Sequence, residues 1–270
     1  MAPDRAQPPD IRCRAVAKTF GTGAGAIDAV APTDLTLAPR TTTALVGPSG
    51  CGKSTLLRVI AGLDPASAGS ARIGGETPDT VRRRGALAVA FQDPSLLPWR
   101  TVRSNVALAR HLARQPRDDA RVGELIAMVG LEGFEDRRPA ELSGGMRQRA
   151  ALARCLVTAP KLLLLDEPFG AVDELTRRRL NVELPPVWER EGATTLLVTH
   201  SVSETVLLSD RIVVLSDRPA RVIGEIDVGL PRPRRGDMVG TDTFRRIEGQ
   251  VTGALLGTDA AGPKLSVAAE

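Results

Sequence analysis

The stretch Gly47-Pro48-Ser49-Gly50-Cys51-Gly52-Lys53-Ser54, followed by Thr55, limits what this chain can fold into more than any other. A β-branched, apolar run from Thr42 to Val46 leads into it, and Lys53 to Ala61 leaves it with helical patterning. Strand, glycine-rich turn and helix in that order make an anion nest. Glycines let backbone N–H groups turn inward without a Cβ in the way, and the helix N-terminus adds partial positive charge. In such a loop the Lys53 ammonium meets the β- and γ-phosphates of a nucleotide, and the Ser54 hydroxyl completes a Mg²⁺ coordination sphere. Cys51 reads as a small filler whose N–H matters more than its sulfur. The loop by itself does not separate GTPases, kinases and transport ATPases.

Acidic residues narrow the chemistry. Lys161 to Leu165 is a continuous apolar strand that ends in Asp166-Glu167. Lying beside the strand that feeds the glycine loop, it would aim Asp166 at the metal. Glu167 would then orient and deprotonate the attacking water. Without the loop, the pair would be no more than an acidic helix cap before Pro168. A second apolar run, Thr194–Val198, ends at Thr199-His200. The C-terminal ends of strands are where ligands bind in doubly wound sheets, so His200 can hold γ-phosphate, water and Glu167 in line. The other histidine, His111, sits in a polar helical stretch and reads as surface.

The runs 161–165 and 194–198 are too continuous for a half-exposed sheet and predict one covered on both faces. Residues 11–45 read as an antiparallel meander broken by the loop Gly21–Gly25, and Leu87–Phe91 as a short buried strand. From Pro94 to Ala159 the pattern is helical, with no good strand. The predicted fold is therefore α/β: a P-loop NTPase core with an antiparallel β subdomain and an inserted helical subdomain at about 94–159. Arg211–Leu215 and Val222–Ile226 add strands, followed by a Pro/Arg linker and a helix near Thr243–Leu256. The expected layout is a loose arm over 1–10, an ATPase domain over 11–235, and a helix with an unstructured tail over 236–270.

Composition removes other classes. A net charge of +4 would admit nucleic acid, but aromatics are 3% with no Tyr, so a base-stacking platform has little to be built from. The arginine runs 82–84 and 177–179 read as solvated faces. Three scattered cysteines make neither a disulfide framework nor a zinc site and suit a reducing cytoplasm. No apolar run approaches the roughly 18 residues that span a bilayer, and the first ten residues carry no secretory leader pattern. A membrane role would come through a partner.

The segment Leu142-Ser143-Gly144-Gly145-Met146-Arg147-Gln148-Arg149 resembles the signature motif of ABC-transporter ATPases. The resemblance implies that Ser143, Gly144 and Gly145 close on the γ-phosphate held by an opposite subunit, so that two ATPs are sandwiched in a head-to-tail homodimer. It also makes Gln92 a Mg²⁺ and water ligand that senses the membrane partner. Asp173 in Ala171-Val172-Asp173 becomes the D-loop acid, with Val where Leu is usual, and Phe20 the aromatic that stacks on adenine. The segments Leu96–Val102 and Ser209–Ser216 with Arg218-Pro219 look like the nitrate/sulfonate/taurine importer ATPases. What this implies is an ATPase with ATP and Mg²⁺ as cofactors, peripheral on the cytoplasmic face of the cell membrane. Its partners would be a polytopic permease and, indirectly, a solute-binding protein, with no nucleic acid. The alternatives are an ABC exporter or lipid-extraction ATPase, a soluble ABC ATPase acting on nucleic acid or ribosomes, and a nucleotide-gated binding module without turnover.

Overall fold

The computed structural model describes residues 7–257. In chain order the elements are β1 (Ile11–Phe20), β2 (Ile27–Leu37), β3 (Thr42–Val46), α1 (Lys53–Ile60), β4 (Ala68–Ile73), α2 (Pro78–Arg83) and β5 (Ala88–Ala90). The inserted helices α3 (Val102–Leu112), α4 (Asp119–Met128) and α5 (Gly144–Leu156) follow. The chain then returns through β6 (Leu162–Asp166), α6 (Glu174–Glu183), α7 (Pro185–Arg190), β7 (Thr194–Val198), α8 (Val202–Leu208), β8 (Arg211–Leu215), β9 (Val222–Asp227) and α9 (Asp242–Leu256).

Two sheets result. A three-stranded antiparallel sheet runs β2-β1-β4, and a six-stranded sheet runs β5-β6-β7-β3-β8-β9 with only β9 antiparallel to its neighbour. This corrects one expectation from sequence. β6 does not lie beside β3, because β7 pairs with both and separates them. Strand order is set by pairing between segments about 150 residues apart, which local pattern does not encode. Among the elements not anticipated are β4, which is short, largely exposed and lacks apolar alternation, and the short helix α2. β5 is also a half-buried edge strand rather than a fully buried one.

The continuous apolar runs have the predicted cause. Along β6, Leu163 and Leu165 enter one core while Leu162 and Leu164 enter the other, and β8 divides Ile212 and Val214 from Val213 and Leu215 in the same way. One core lies against α1 and the antiparallel sheet; the other holds α3, α4, α5, α8 and α9. Helix α9 joins the second through Phe244, Ile247 and Val251, one helical face at i, i+3 and i+7. Burying each such side chain contributes about 1.5–3 kcal/mol, which suffices to dock the helix on the core.

The Pro/Arg segment before α9 is structured. Arg234 is buried and its guanidinium donates to the carbonyls of Val206 and Leu207 at the end of α8, where the helix dipole favours a cation. At the N-terminal end, residues 1–6 lie outside the described part. The remainder of the anticipated arm is tied down, since Pro8 is buried and Thr194 Oγ1 donates to the Pro9 carbonyl at 2.8 Å. The anticipated tail, 258–270, also lies outside the described residues.

Candidate functional site

Strand β3 delivers the chain to the glycine loop between two parallel neighbours, β7 and β8, which hold its C-terminal end still. The glycines there are obligatory. Gly52 has φ +125°, and a Cβ on it would sit 2.3 Å from the Ala29 carbonyl oxygen. Helix α1 begins after Gly52 with no side-chain cap, so its first amides stay available to an anion. Lys53 is buried, and its ammonium donates to the carbonyls of Gly47 and Pro48, each at 2.8 Å. Cys51 is buried behind the loop, 3.9 Å from that ammonium.

Asp166 ends β6 and accepts a 2.8 Å hydrogen bond from Ser54 Oγ, although β7 stands between their strands. Burial is the main influence on Asp166 and pushes its carboxyl above the usual carboxylate range, with the Ser54 hydroxyl opposing. The next residue, Glu167, has φ +47° and is fixed by its N–H donating to the Val198 carbonyl at 2.8 Å. Such a conformation in a non-glycine residue persists only where its surroundings hold it. Gln92 Nε2 donates to Glu167 Oε2 at 3.3 Å, and His200 Nδ1 approaches Oε1 at 3.5 Å.

These groups surround one cavity of about 720 Å³. Of the residues singled out from sequence, Phe20, Ser49, Gly50, Gly52, Lys53, Ser54, Thr55, Gln92, Glu167 and His200 line it. Asp166 stands behind Ser54. Phe20 is 42% exposed, and the Lys18 ammonium lies 4.9 Å from the centre of its ring.

Ser143, Gly144, Gly145 and Asp173 do not line this cavity. Ser143 is exposed and caps α5, its Oγ accepting from the Met146 N–H at 3.2 Å. Asp173 caps α6 in the same manner, accepting from the Thr176 N–H at 3.0 Å, and that bond chiefly holds its carboxyl below the ordinary range.

Residues 30–170 match the ABC transporter family model. The aliphatic sulfonates import ATP-binding protein of Cupriavidus pinatubonensis is 48% identical over 218 residues, covering 81% of this chain and 69% of that protein. The nitrate import ATP-binding protein of Synechococcus elongatus is 46% identical over 223 residues; the match spans 79% of this chain but 33% of that longer protein. A dimeric ATP-binding cassette in a post-hydrolysis state, bound to ADP and Pi, superposes with TM-score 0.74 at 30% identity, covering 81% of this chain and 98% of that one. The chain belongs to the ABC transporter ATP-binding family. It is an ATPase.

The donor set of this ABC ATPase fits Mg²⁺. Ser54 Oγ and Asp166 Oδ1 are hard oxygens already 2.8 Å apart, and the buried Asp166 carboxylate would be relieved by a cation. No group of three or more His, Cys, Asp or Glu that could hold a metal occurs among the described residues. Mg²⁺ keeps waters and phosphate oxygens and takes only one or two protein ligands, which the Ser54–Asp166 pair can supply.

Several residues around the ABC site had no role assigned to them from the sequence. Ile27 and Ala29 line the cavity from β2, with no motif to mark them. Glu204 is buried and accepts from Thr199 Oγ1 at 2.7 Å, bracing the turn that carries His200. Gln148, also buried, donates to the Phe91 carbonyl at 3.2 Å, tying α5 to the segment that carries Gln92. Arg218 lines the cavity too, and had been noticed only as part of the Arg218-Pro219 pair.

Proposed function

We propose that this ATPase energises an importer of a small solute of the nitrate or sulfonate kind, working as a head-to-tail homodimer on a separate polytopic permease at the cytoplasmic face. The observation that carries the chemistry is the Glu167 carboxylate, held in a left-handed turn between Gln92 and His200 beside the glycine loop. Lys53 and the amides of residues 47–55 bind the phosphates, and Phe20 takes the base. Ser54, Asp166 and Gln92 would hold Mg²⁺, which when bound neutralises phosphate charge. Glu167 accepts the proton of the attacking water, and His200 keeps that carboxylate and the γ-phosphate aligned. Ser143, Gly144, Gly145 and Asp173 act on the nucleotide of the opposite subunit. That none of the four lines the cavity of its own chain supports that assignment.

The sulfonate and nitrate import ATP-binding proteins among the relatives support import, and no helix among the described residues is long and apolar enough to cross a membrane. A groove of about 900 Å³ bordered by α2, β5 and α3, with Leu87, Leu97, Leu108 and Leu112 on its walls, suits the permease's cytoplasmic segment. Replacing Glu167→Gln should leave ATP binding intact and lower turnover by about 10²–10⁴-fold, with ATP-bound dimers accumulating in size-exclusion chromatography. Native turnover in that variant removes Glu167 as the base. Affinity purification should recover a polytopic permease, and transport should require a solute-binding protein; ATP-driven solute uptake into inverted vesicles without one would favour an exporter.

A further inference from the structure

The wall of the nucleotide cavity carries one cation to which the reading above gives no task. Arg218 lines the cavity and is exposed, and its guanidinium makes no hydrogen bond or ion pair among the described residues. Its place is nevertheless well determined, because the loop that bears it is bolted on both sides. Within the β8–β9 turn, Ser216 N donates to the Arg221 carbonyl at 2.9 Å and Arg221 N to Ser216 Oγ at 3.1 Å. Ala220 N donates to the Ala29 carbonyl at 3.0 Å, and Ala31 N returns the bond to the Ala220 carbonyl at 3.0 Å. Ala220 also packs where a Gly52 side chain would stand, 3.2 Å from a Cβ built there.

Those contacts locate Arg218 at one end of the cavity. Phe20 pairs with Ile27 across β1 and β2, Ala29 follows on β2, and Ala220 is bonded to Ala29. Arg218 therefore shares the wall of Phe20, Ile27 and Ala29 on the β8–β9 side of β3, whereas Glu167 and His200 follow β6 and β7 on its other side. At that end Phe20 offers only one face. The other is occupied by the Lys18 ammonium, itself buried and held by the Pro65 carbonyl at 2.9 Å. A purine on the free face of Phe20 has its second face open, and an unpaired planar guanidinium is the group on this wall suited to cover it.

We propose that Arg218 is a nucleotide-binding residue that stacks on the base opposite Phe20, so that the base is clamped between the antiparallel sheet and the β8–β9 turn. This rests on the reading of the cavity as the ATP site. The contact exists equally with ATP, ADP and the transition state, so it sets affinity and leaves the hydrolytic step to Glu167.

Calorimetric titration of the full-length protein with ATP, ADP and inorganic tripolyphosphate tests it. Arg218→Ala should weaken ATP and ADP by about tenfold, the order of a partly desolvated cation–π contact, and leave tripolyphosphate, which has no base, unchanged. The loss in ATPase assays should appear in KM rather than kcat. Arg218→Lys, which keeps the charge but not the plane, should recover little. Unaltered ATP affinity in Arg218→Ala overturns the proposal, as does an equal loss for tripolyphosphate or full rescue by lysine, either of which would make Arg218 a phosphate contact. Lys53→Ala serves as the reference: it should lose ATP and tripolyphosphate alike. If it keeps both, the ATP site itself has been misplaced, a failure distinct from the other three.

Discussion

Two glycine-rich turns each start a helix here, and they treat the free amides of that helix in opposite ways. At α1 the residue before the helix is Gly52, which supplies no cap, and the loop is walled in by β2 and the β8–β9 turn. At α5 it is Ser143, whose own hydroxyl takes the Met146 N–H, and the turn is exposed. The first turn is a binding site completed by its own chain. The second is satisfied locally and does not line the cavity, which suits the proposed reading in which an opposite subunit brings the nucleotide to it. Two glycine-rich turns before helices therefore support two roles, decided by what surrounds each loop.

Substitutions at the two turns should separate those roles. The largest effect is expected for Gly52→Ala. A Cβ would lie 2.3 Å from the Ala29 carbonyl oxygen at φ +125°, a clash with backbone that costs on the order of 3 kcal/mol. ATP binding measured by calorimetry should fall below detection, and retention of affinity would show that the loop has slack. Next, Gly145→Ala places its Cβ 2.8 Å from the Ala171 carbonyl oxygen, whereas Gly144→Ala meets only the far end of Arg147 at 3.9 Å. Gly145→Ala should cut turnover roughly tenfold or more while ATP binding to dilute protein is kept, the mark of a residue acting across the dimer. Equal loss of binding in that variant would merge the two turns into one site. Smaller still, Ser143→Ala removes the α5 cap and should lower unfolding free energy by about 1 kcal/mol in urea titration, with nucleotide affinity of the undimerised chain unchanged.

The smallest effect separates structure from chemistry among the cysteines. Burial pushes the thiol of Cys13 up to about 12 and that of Cys155 up to about 11. Both should stay protonated and unmodified by iodoacetamide at about pH 9 in the folded chain and react once it is unfolded. Labelling of either at native rates would contradict the packing of β1 or α5.

Chemistry with a short sequence span was legible early. The glycine loop, the Asp166-Glu167 strand end and the Ser143 turn each fall within about ten residues, and local spacing there dictates local backbone. The continuous runs in β6 and β7 announced a sheet covered on both faces, as the two cores bear out. Residues with no motif around them stayed silent: Ile27, Ala29 and Glu204 act through positions reached only after the chain has folded back on itself, and the motif that contains Gln148 gave no hint of its bond to the Phe91 carbonyl.

What the sequence determined alone was which groups are present and which short segments hold them. Tertiary structure decided their arrangement. It set β7 between β3 and β6, docked α9 on the core, kept Ser143 out of the lining of its own cavity and brought Arg218 onto the wall of it. The physical reason is range. Turn and strand geometry follow from neighbouring dihedrals and side chains, whereas strand order and cavity walls depend on pairings between distant segments whose closure is favourable only when the whole core forms.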